Sequence, residues 1–248
     1  MTASAVRDEV AAANRAIAAA GLVTLSFGNV SGVDRDAGAL LIKPSGLACA
    51  DVGPDDLVEV ALDDGRVVSG DRRPSTDTPT HRHLYLEFPE IGGVVHTHST
   101  SAAAWAQAGR PIPALGTTHA DYFRGPVLVS RHLHRGEIEG DYEWATGEVI
   151  AETIRQHDRS AEDSPGVLVR AHGPFAWGST PAAAVEAAIA LEEIATIAWR
   201  TLGIDPSAPA IPDELLRRHF DRKHGPAAYY GQPEADAASD TVEAEARP

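Results

Sequence analysis

A short apolar stretch that ends in a His-x-His motif constrains this chain more than any other feature. The Gly-Val-Val segment at 93–95 leads into His96 and His98, and a second apolar segment at 167–169 leads to His172. Side chains alternate between faces along a strand, so His96 and His98 are expected on the same side. A third imidazole from the second strand would complete a three-nitrogen site with open positions, typical of a catalytic divalent metal. A histidine at a strand end is also an ordinary polar surface residue.

The composition sets the broad class of protein. Of the 248 residues, 43% are hydrophobic, which suffices for one sizeable core and favours a single domain. The 21 Lys and Arg against 36 Asp and Glu give a net charge of −15, which argues against nucleic acid or an anionic membrane as partner. Neither a signal-peptide pattern nor an apolar run of ~20 residues is visible, so we expect a cytoplasmic protein. A single cysteine, Cys49, excludes an intrachain disulfide.

Strand and helix signals alternate along the chain and predict an α/β fold with a mixed or largely antiparallel sheet. Strands are predicted at 22–26, 39–43, 57–62, 66–69, 91–97, 126–130 and 166–170, and helices at 6–17, 78–88, 101–108, 145–156, 180–203 and 213–223. The segment 28–32 between the first two strands is expected to be a loop. Residues 1–232 are expected to form one domain, followed by an acidic disordered tail at 233–248 that lacks periodicity.

Several polar segments are candidates for chemistry. The segments 28–31, 43–46 and 75–76 are rich in glycine and hydroxyl residues, and with Lys43 they offer the donors that bind phosphate, although each is also an ordinary turn. Asp77 precedes a helix start, where a carboxylate serves as metal ligand, as acid/base group or simply as an anion at the helix N-terminus. The loop 116–125 contains an Asp, a His and a Tyr, and it could supply an acid/base residue or be purely structural. The pair Tyr229-Tyr230 could likewise transfer a proton or only pack on a neighbour.

Taken in order, these motifs resemble the L-ribulose-5-phosphate 4-epimerases of the class II aldolase superfamily, from about residue 22 to residue 232. The similarity is carried by SFGNVS (26–31), IKPSG (42–46), DTPTH (77–81), HTHS (96–99), GTTHADYF (116–123), HGPFAWG (172–178), and KHG and YYGQ between 223 and 232. It implies a three-layer α/β/α fold with a mainly antiparallel central sheet. It also implies a homotetramer with active sites at the subunit interfaces.

The resemblance also implies roles for individual residues. His96, His98 and His172 would hold a divalent metal with Asp77 beside it, zinc by preference and manganese or cobalt as alternatives. Asp121 and Tyr230 would be the acid/base pair, with Tyr230 acting on the metal of the neighbouring subunit. The substrate and its phosphate would contact Asn29, Lys43, Ser45, Gly46, Ser75 and Thr76.

The implied reaction interconverts L-ribulose 5-phosphate and D-xylulose 5-phosphate. The C4 hydrogen is not α to the carbonyl, so C4 would be inverted by cleavage of C3–C4 into a dihydroxyacetone enediolate and glycolaldehyde phosphate, followed by re-formation. The phosphorylated ketopentose would come from arabinose or ascorbate catabolism. The alternatives are an aldolase or decarboxylase of the same superfamily acting on another phosphorylated sugar, and a non-catalytic scaffold of the adducin type. The presence of all three histidines argues against the scaffold.

Overall fold

One mainly antiparallel sheet organises the protein. The structure is a computed structural model that describes residues 3–226 and 228–229, and these contain eight strands in the order β4-β3-β2-β1-β5-β8-β7-β6. All neighbouring strands are antiparallel except β6 and β7, which confirms the predicted sheet type. The strands are β1 Asn29–Asp34, β2 Ala39–Ile42, β3 Val58–Ala61, β4 Val67–Ser69, β5 Gly93–His96, β6 Leu128–Val129, β7 Gly166–Leu168 and β8 Pro174–Gly178.

Helices cover both faces of this sheet, which confirms the three-layer α/β/α architecture. They are α1 Ala3–Ala19, α2 Thr78–Glu87, α3 Thr100–Ala108, α4 Thr117–Ala120, α5 Arg135–Glu139, α6 Tyr142–Gln156, α7 Pro181–Ile204 and α8 Asp213–His224. On one face, α2 and α6 pack against β5 through Leu84, Ile150 and Val94. On the other face, α1 and α7 pack against Val95 of the same strand. His96 lies two residues after Val94 and therefore faces α2.

The first strand lies later in the chain than predicted. The predicted strand at 22–26 is wrong, because Leu25 adopts a left-handed backbone (φ 57°) and the Phe27 amide donates to the Thr24 carbonyl in a turn. The expected loop at 28–32 is in fact the start of β1. A helix side chain satisfies polar groups of this segment. Asn14 of α1 donates a hydrogen bond to the Val30 carbonyl and accepts one from the Val30 amide, both at 3.0 Å.

The remaining predicted elements lie within a few residues of their observed positions. The hairpin around Asp63-Asp64-Gly65 joins β3 and β4, and Thr180 caps α7 by accepting a hydrogen bond from the Ala183 amide. The strand β8 was not predicted, because Pro174 opens it and it is only five residues long. The tail at 233–248 and Tyr230 lie outside the described residues. Among the described helices, none has the length and apolar character needed to cross a membrane.

Candidate active site

Three histidines meet at the place in the sheet where β5 ends and the neighbouring strands β1 and β8 begin. His96 is the last residue of β5 and pairs with Asn29 of β1 and with Phe175 of β8, whose ring stacks on the imidazole at 4.1 Å between centroids. His98 follows two residues later. His172 lies in the turn between β7 and β8, where Ala171 adopts a left-handed backbone with φ 60°. The His172 ring centroid lies 4.7 Å from that of His96 and 5.1 Å from that of His98, so the structure brings the three predicted histidines together.

The nitrogens of these imidazoles converge. His96 Nε2 and His98 Nε2 lie 3.1 Å apart, and the candidate ligand atoms of all three histidines lie within 4.8 Å of one another. His96 Nδ1 lies 3.0 Å from the Pro174 carbonyl, which can only accept, so Nδ1 carries the proton and Nε2 presents a lone pair to the cluster. This arrangement fits a divalent cation, because three imidazole lone pairs can point to one position.

The electrostatics of the cluster suit metal ligation. Burial lowers the pKa of His172 to about 4, and the neighbouring His96 and His98 contribute to this shift. Burial also lowers the pKa of His96. The two imidazoles are therefore neutral near pH 7, which is the form that binds metals.

Asp77 is held next to the histidines as the N-cap residue of α2. Its Oδ2 accepts a 2.6 Å hydrogen bond from Asn29 Nδ2. Burial alone would raise the pKa of Asp77, but His96, His81 and the Asn29 hydrogen bond outweigh it and the pKa is lowered, so the side chain is a carboxylate at neutral pH. The cluster of converging ligand atoms consists of the three histidines without Asp77. A direct Asp77–metal bond stays a prediction.

The predicted phosphate-binding segments line the same cavity as the histidines. This cavity has a volume of about 400 Å³. Two backbone hydrogen bonds connect the loop at 43–46 with the loop at 73–76. The Ser45 amide donates to the Arg73 carbonyl, and the Ser75 amide donates to the Lys43 carbonyl. The predicted residues that line it are Asn29, Lys43, Ser45, Gly46, Ser75, Thr76, Asp77, His96, His98 and His172.

Lys43 is the cation of this cavity. Its side chain is 2% exposed, and Nζ donates to the carbonyls of Leu47 at 2.7 Å and Pro44 at 3.3 Å. An ammonium has three protons, so one remains for an oxygen in the cavity. Burial lowers the pKa of Lys43, while Cys49 and Asp77 act in the opposite direction.

Asp121 lies elsewhere in the structure and does not line the cavity. Its carboxylate accepts hydrogen bonds from His219 Nδ1 at 3.0 Å and from Arg222 Nη2 at 2.9 Å, both on α8. His224 Nε2 donates to the Asp121 backbone carbonyl at 2.8 Å. The described chain therefore does not bring Asp121 into the cavity of its histidines, and the predicted acid/base role of Asp121 stays a prediction.

Two aromatic residues of the cavity were not assigned by sequence reasoning. Phe27 is 52% exposed and stacks on His98 at 6.0 Å between centroids. Tyr142 is the first residue of α6, and its Oη lies 3.3 Å from His172 Nδ1. Phe27 belongs to the motif 26–31, which pointed to this region. Nothing in the sequence singled out Tyr142, because it lies three residues before the predicted start of the helix.

Comparison with known proteins identifies similar chains. Residues 8–199 match the family described as Class II Aldolase and Adducin N-terminal domain. The chain is 51% identical over 227 residues to a protein of Salmonella paratyphi C named L-ribulose-5-phosphate 4-epimerase UlaF, covering 92% of this chain and 98% of that protein. A protein of the same name from Salmonella typhi matches with the same identity and coverage.

Solved structures share the fold. An L-fuculose 1-phosphate aldolase superimposes with a TM-score of 0.74 at 23% identity, covering 90% of this chain and 97% of that one. An L-fuculose-1-phosphate aldolase from Thermus thermophilus gives a TM-score of 0.61 at 25% identity, covering 83% and 98%.

Proposed function

Because the chain belongs to the Class II Aldolase and Adducin N-terminal domain family, we propose that it is a metal-dependent L-ribulose-5-phosphate 4-epimerase. The relatives at 51% identity carry that name and match over almost their whole length. The observation that carries the proposal is a single cavity in which three converging imidazoles lie beside Lys43 and the hydroxyl-rich loops. A metal site next to a phosphate site suits a phosphorylated ketose.

His96, His98 and His172 would hold the cation, with Asp77 beside them; zinc suits three imidazoles, and manganese or cobalt would also bind. A divalent cation there supplies Lewis acidity towards negative charge that develops on a ketose when a carbon–carbon bond breaks. The lowered pKa values of His96 and His172 favour the neutral imidazole, which is the form that binds a metal ion.

The protein residues around this position bind and orient the sugar phosphate. The remaining Lys43 proton and the hydroxyls of Ser45, Ser75 and Thr76 are donors for phosphate oxygens. Asn29 Oδ1 is buried and has no partner among the described residues, so it can accept from a substrate hydroxyl. Holding the phosphate is essential for an epimerase, because the aldehyde fragment must rotate without leaving before the C3–C4 bond re-forms.

The proton transfers would be carried out by Asp121 and Tyr230, one taking the C4 hydroxyl proton and the other returning it from the opposite side. Asp121 lies outside the cavity of its own subunit. We therefore propose that the α4–α8 corner of one subunit completes the cavity of the next in a cyclic homotetramer. A closed ring provides each cavity with one such neighbour.

A coupled assay tests the proposal. The zinc-loaded protein is given L-ribulose 5-phosphate, and D-xylulose 5-phosphate and free glycolaldehyde phosphate are measured in parallel. Formation of xylulose 5-phosphate without free aldehyde is the expected result. Release of aldehyde or carbon dioxide would identify an aldolase or decarboxylase of the same superfamily instead. Purified protein that binds no divalent metal would favour the scaffold.

A further inference from the structure

The orientation of His172 points to a role for Tyr142, given the metal site of the proposed function. An imidazole that binds a cation through one nitrogen needs a hydrogen-bond partner at the other, which fixes both its tautomer and its ring orientation. For His96 this partner is the Pro174 carbonyl. For His172 the group in this position is the phenol of Tyr142, with Oη 3.3 Å from Nδ1.

The phenol is held by a rigid part of the fold. Tyr142 is the first residue of α6, and its carbonyl accepts a 2.9 Å hydrogen bond from Thr146 Oγ1. The first turn of α6 is tied to α2, because Thr80 Oγ1 donates to the Glu143 carbonyl at 2.5 Å. The helices also pack closely at Gly147, where a Cβ would lie 2.6 Å from His83 Cβ. These contacts hold the backbone at Tyr142, from which the phenol reaches His172, against the start of α2.

The protonation of His172 determines which member of the Tyr142–His172 pair donates the hydrogen bond. A cation on His172 Nε2 leaves the proton on Nδ1, which donates to the phenol oxygen. The phenol keeps its own proton and presents it to the cavity that Tyr142 lines. We propose that Tyr142 is a positioning residue that selects Nε2 of His172 for the cation and holds the imidazole in place.

Metal affinity measured without turnover tests this inference. Apo-protein prepared with a chelator is titrated with Co²⁺, and binding is followed by the visible absorption of the bound ion. Removal of a hydrogen-bond partner behind a metal ligand weakens binding by about 10- to 100-fold. We therefore expect Tyr142→Phe to raise the Kd for Co²⁺ at least about 10-fold and to alter the spectrum, while the thermal midpoint of the apo-protein stays close to wild type.

Tyr85→Phe is the matched control. The Tyr85 hydroxyl is buried 2.8 Å from Ser31 Oγ and does not line the cavity. We expect the apo-form of this variant to have a lower thermal midpoint than wild type but the same affinity for Co²⁺. The opposite pattern for Tyr142→Phe would distinguish a hydroxyl that positions a metal ligand from one that only stabilises the fold. Equal Co²⁺ affinity and identical spectra for Tyr142→Phe and wild type would overturn the inference alone. Failure of the wild-type protein to bind Co²⁺ would overturn it together with the proposed function.

Discussion

Arg222 Nη2 lies 2.9 Å from each carboxylate oxygen of Asp121, so α8 holds this side chain in one orientation, outside the cavity that the three histidines line. His219 Nδ1 lies 3.0 Å from the same carboxylate. An acid/base residue that must reach a reacting hydroxyl benefits from such fixed geometry. In the proposed homotetramer, this corner would complete the cavity of another subunit.

We expect Asp121→Asn and Tyr230→Phe each to lower turnover by at least about 100-fold, a typical acid/base contribution. Both variants leave the three histidines intact, so their zinc content should equal that of wild type. The coupled epimerase assay and elemental analysis of the purified protein provide the two measurements. Near-normal rates in both variants would contradict the assignment of the acid/base pair.

The proposed sharing of the site between subunits predicts that two inactive variants complement each other. His98→Asn removes a metal ligand and Asp121→Asn removes an acid/base group, so each homotetramer should be inactive. If the two chains mix at random in a cyclic ring, about a quarter of the cavities combine intact histidines with an intact neighbouring Asp121. Co-expression under two affinity tags should therefore restore roughly that fraction of activity. Mixed tetramers without activity would show that Asp121 does not act across the interface.

Gly173→Ala should impair the metal site. A Cβ at this position would lie 2.7 Å from the Thr97 carbonyl and 3.6 Å from ring atoms of His96 and His98. Because the nearest atom is backbone, the 97–98 segment has to shift, and we expect the Kd for zinc to rise by about 10-fold or more. Gly136→Ala is the control, since nothing lies within 4 Å of its Cβ among the described residues. Titration against a competing chelator dye measures both, and equal affinities would contradict the prediction.

His119 should make the stability of the fold sensitive to acid. Burial lowers its pKa to about 4 from the ordinary 6.5, and Nδ1 is buried without a partner among the described residues; the hydrogen bond from Nε2 to the Gly125 carbonyl acts in the opposite direction. Between these pH values the unfolded chain takes a proton that the folded chain does not. The free energy of unfolding therefore falls as the pH falls from 6.5 to 4, by about 3 kcal/mol for this residue.

Urea unfolding at a series of pH values checks this dependence. His119→Gln should lose less stability than wild type over this range, because the difference in proton uptake disappears. The more accessible His132 provides the control, and His132→Gln should follow the wild-type curve. Parallel curves for His119→Gln and wild type would contradict the assignment.

The local sequence pattern was sufficient to predict the histidines of the site. The two-residue period of an extended segment was enough to predict His96 and His98 on one side, although β5 ends at His96, and the motif order indicated His172. The first strand was misplaced because Ser31 is polar and the sequence does not reveal its partners: its Oγ lies 2.7 Å from His81 Nδ1 and 2.8 Å from Tyr85 Oη, about fifty residues away.

Two other features depend on geometry that spacing does not encode. Tyr142 reaches His172 because α6 begins earlier than its apolar pattern indicates and is tied to α2. Asp121 shares a loop with His119, yet its position relative to the histidine cluster depends on how α8 folds back on α4 and, in the proposed homotetramer, on how the subunits pack.

The three histidines connect a central strand with a turn that comes much later in the chain, at residues 96 and 172. A bound cation is therefore a reversible cross-link between distant segments, present in the folded chain and absent from the unfolded one. Its binding free energy adds to the stability of the fold and grows with the free metal concentration. The supply of free metal would then influence how long each molecule survives proteolysis, in addition to whether it can turn over substrate.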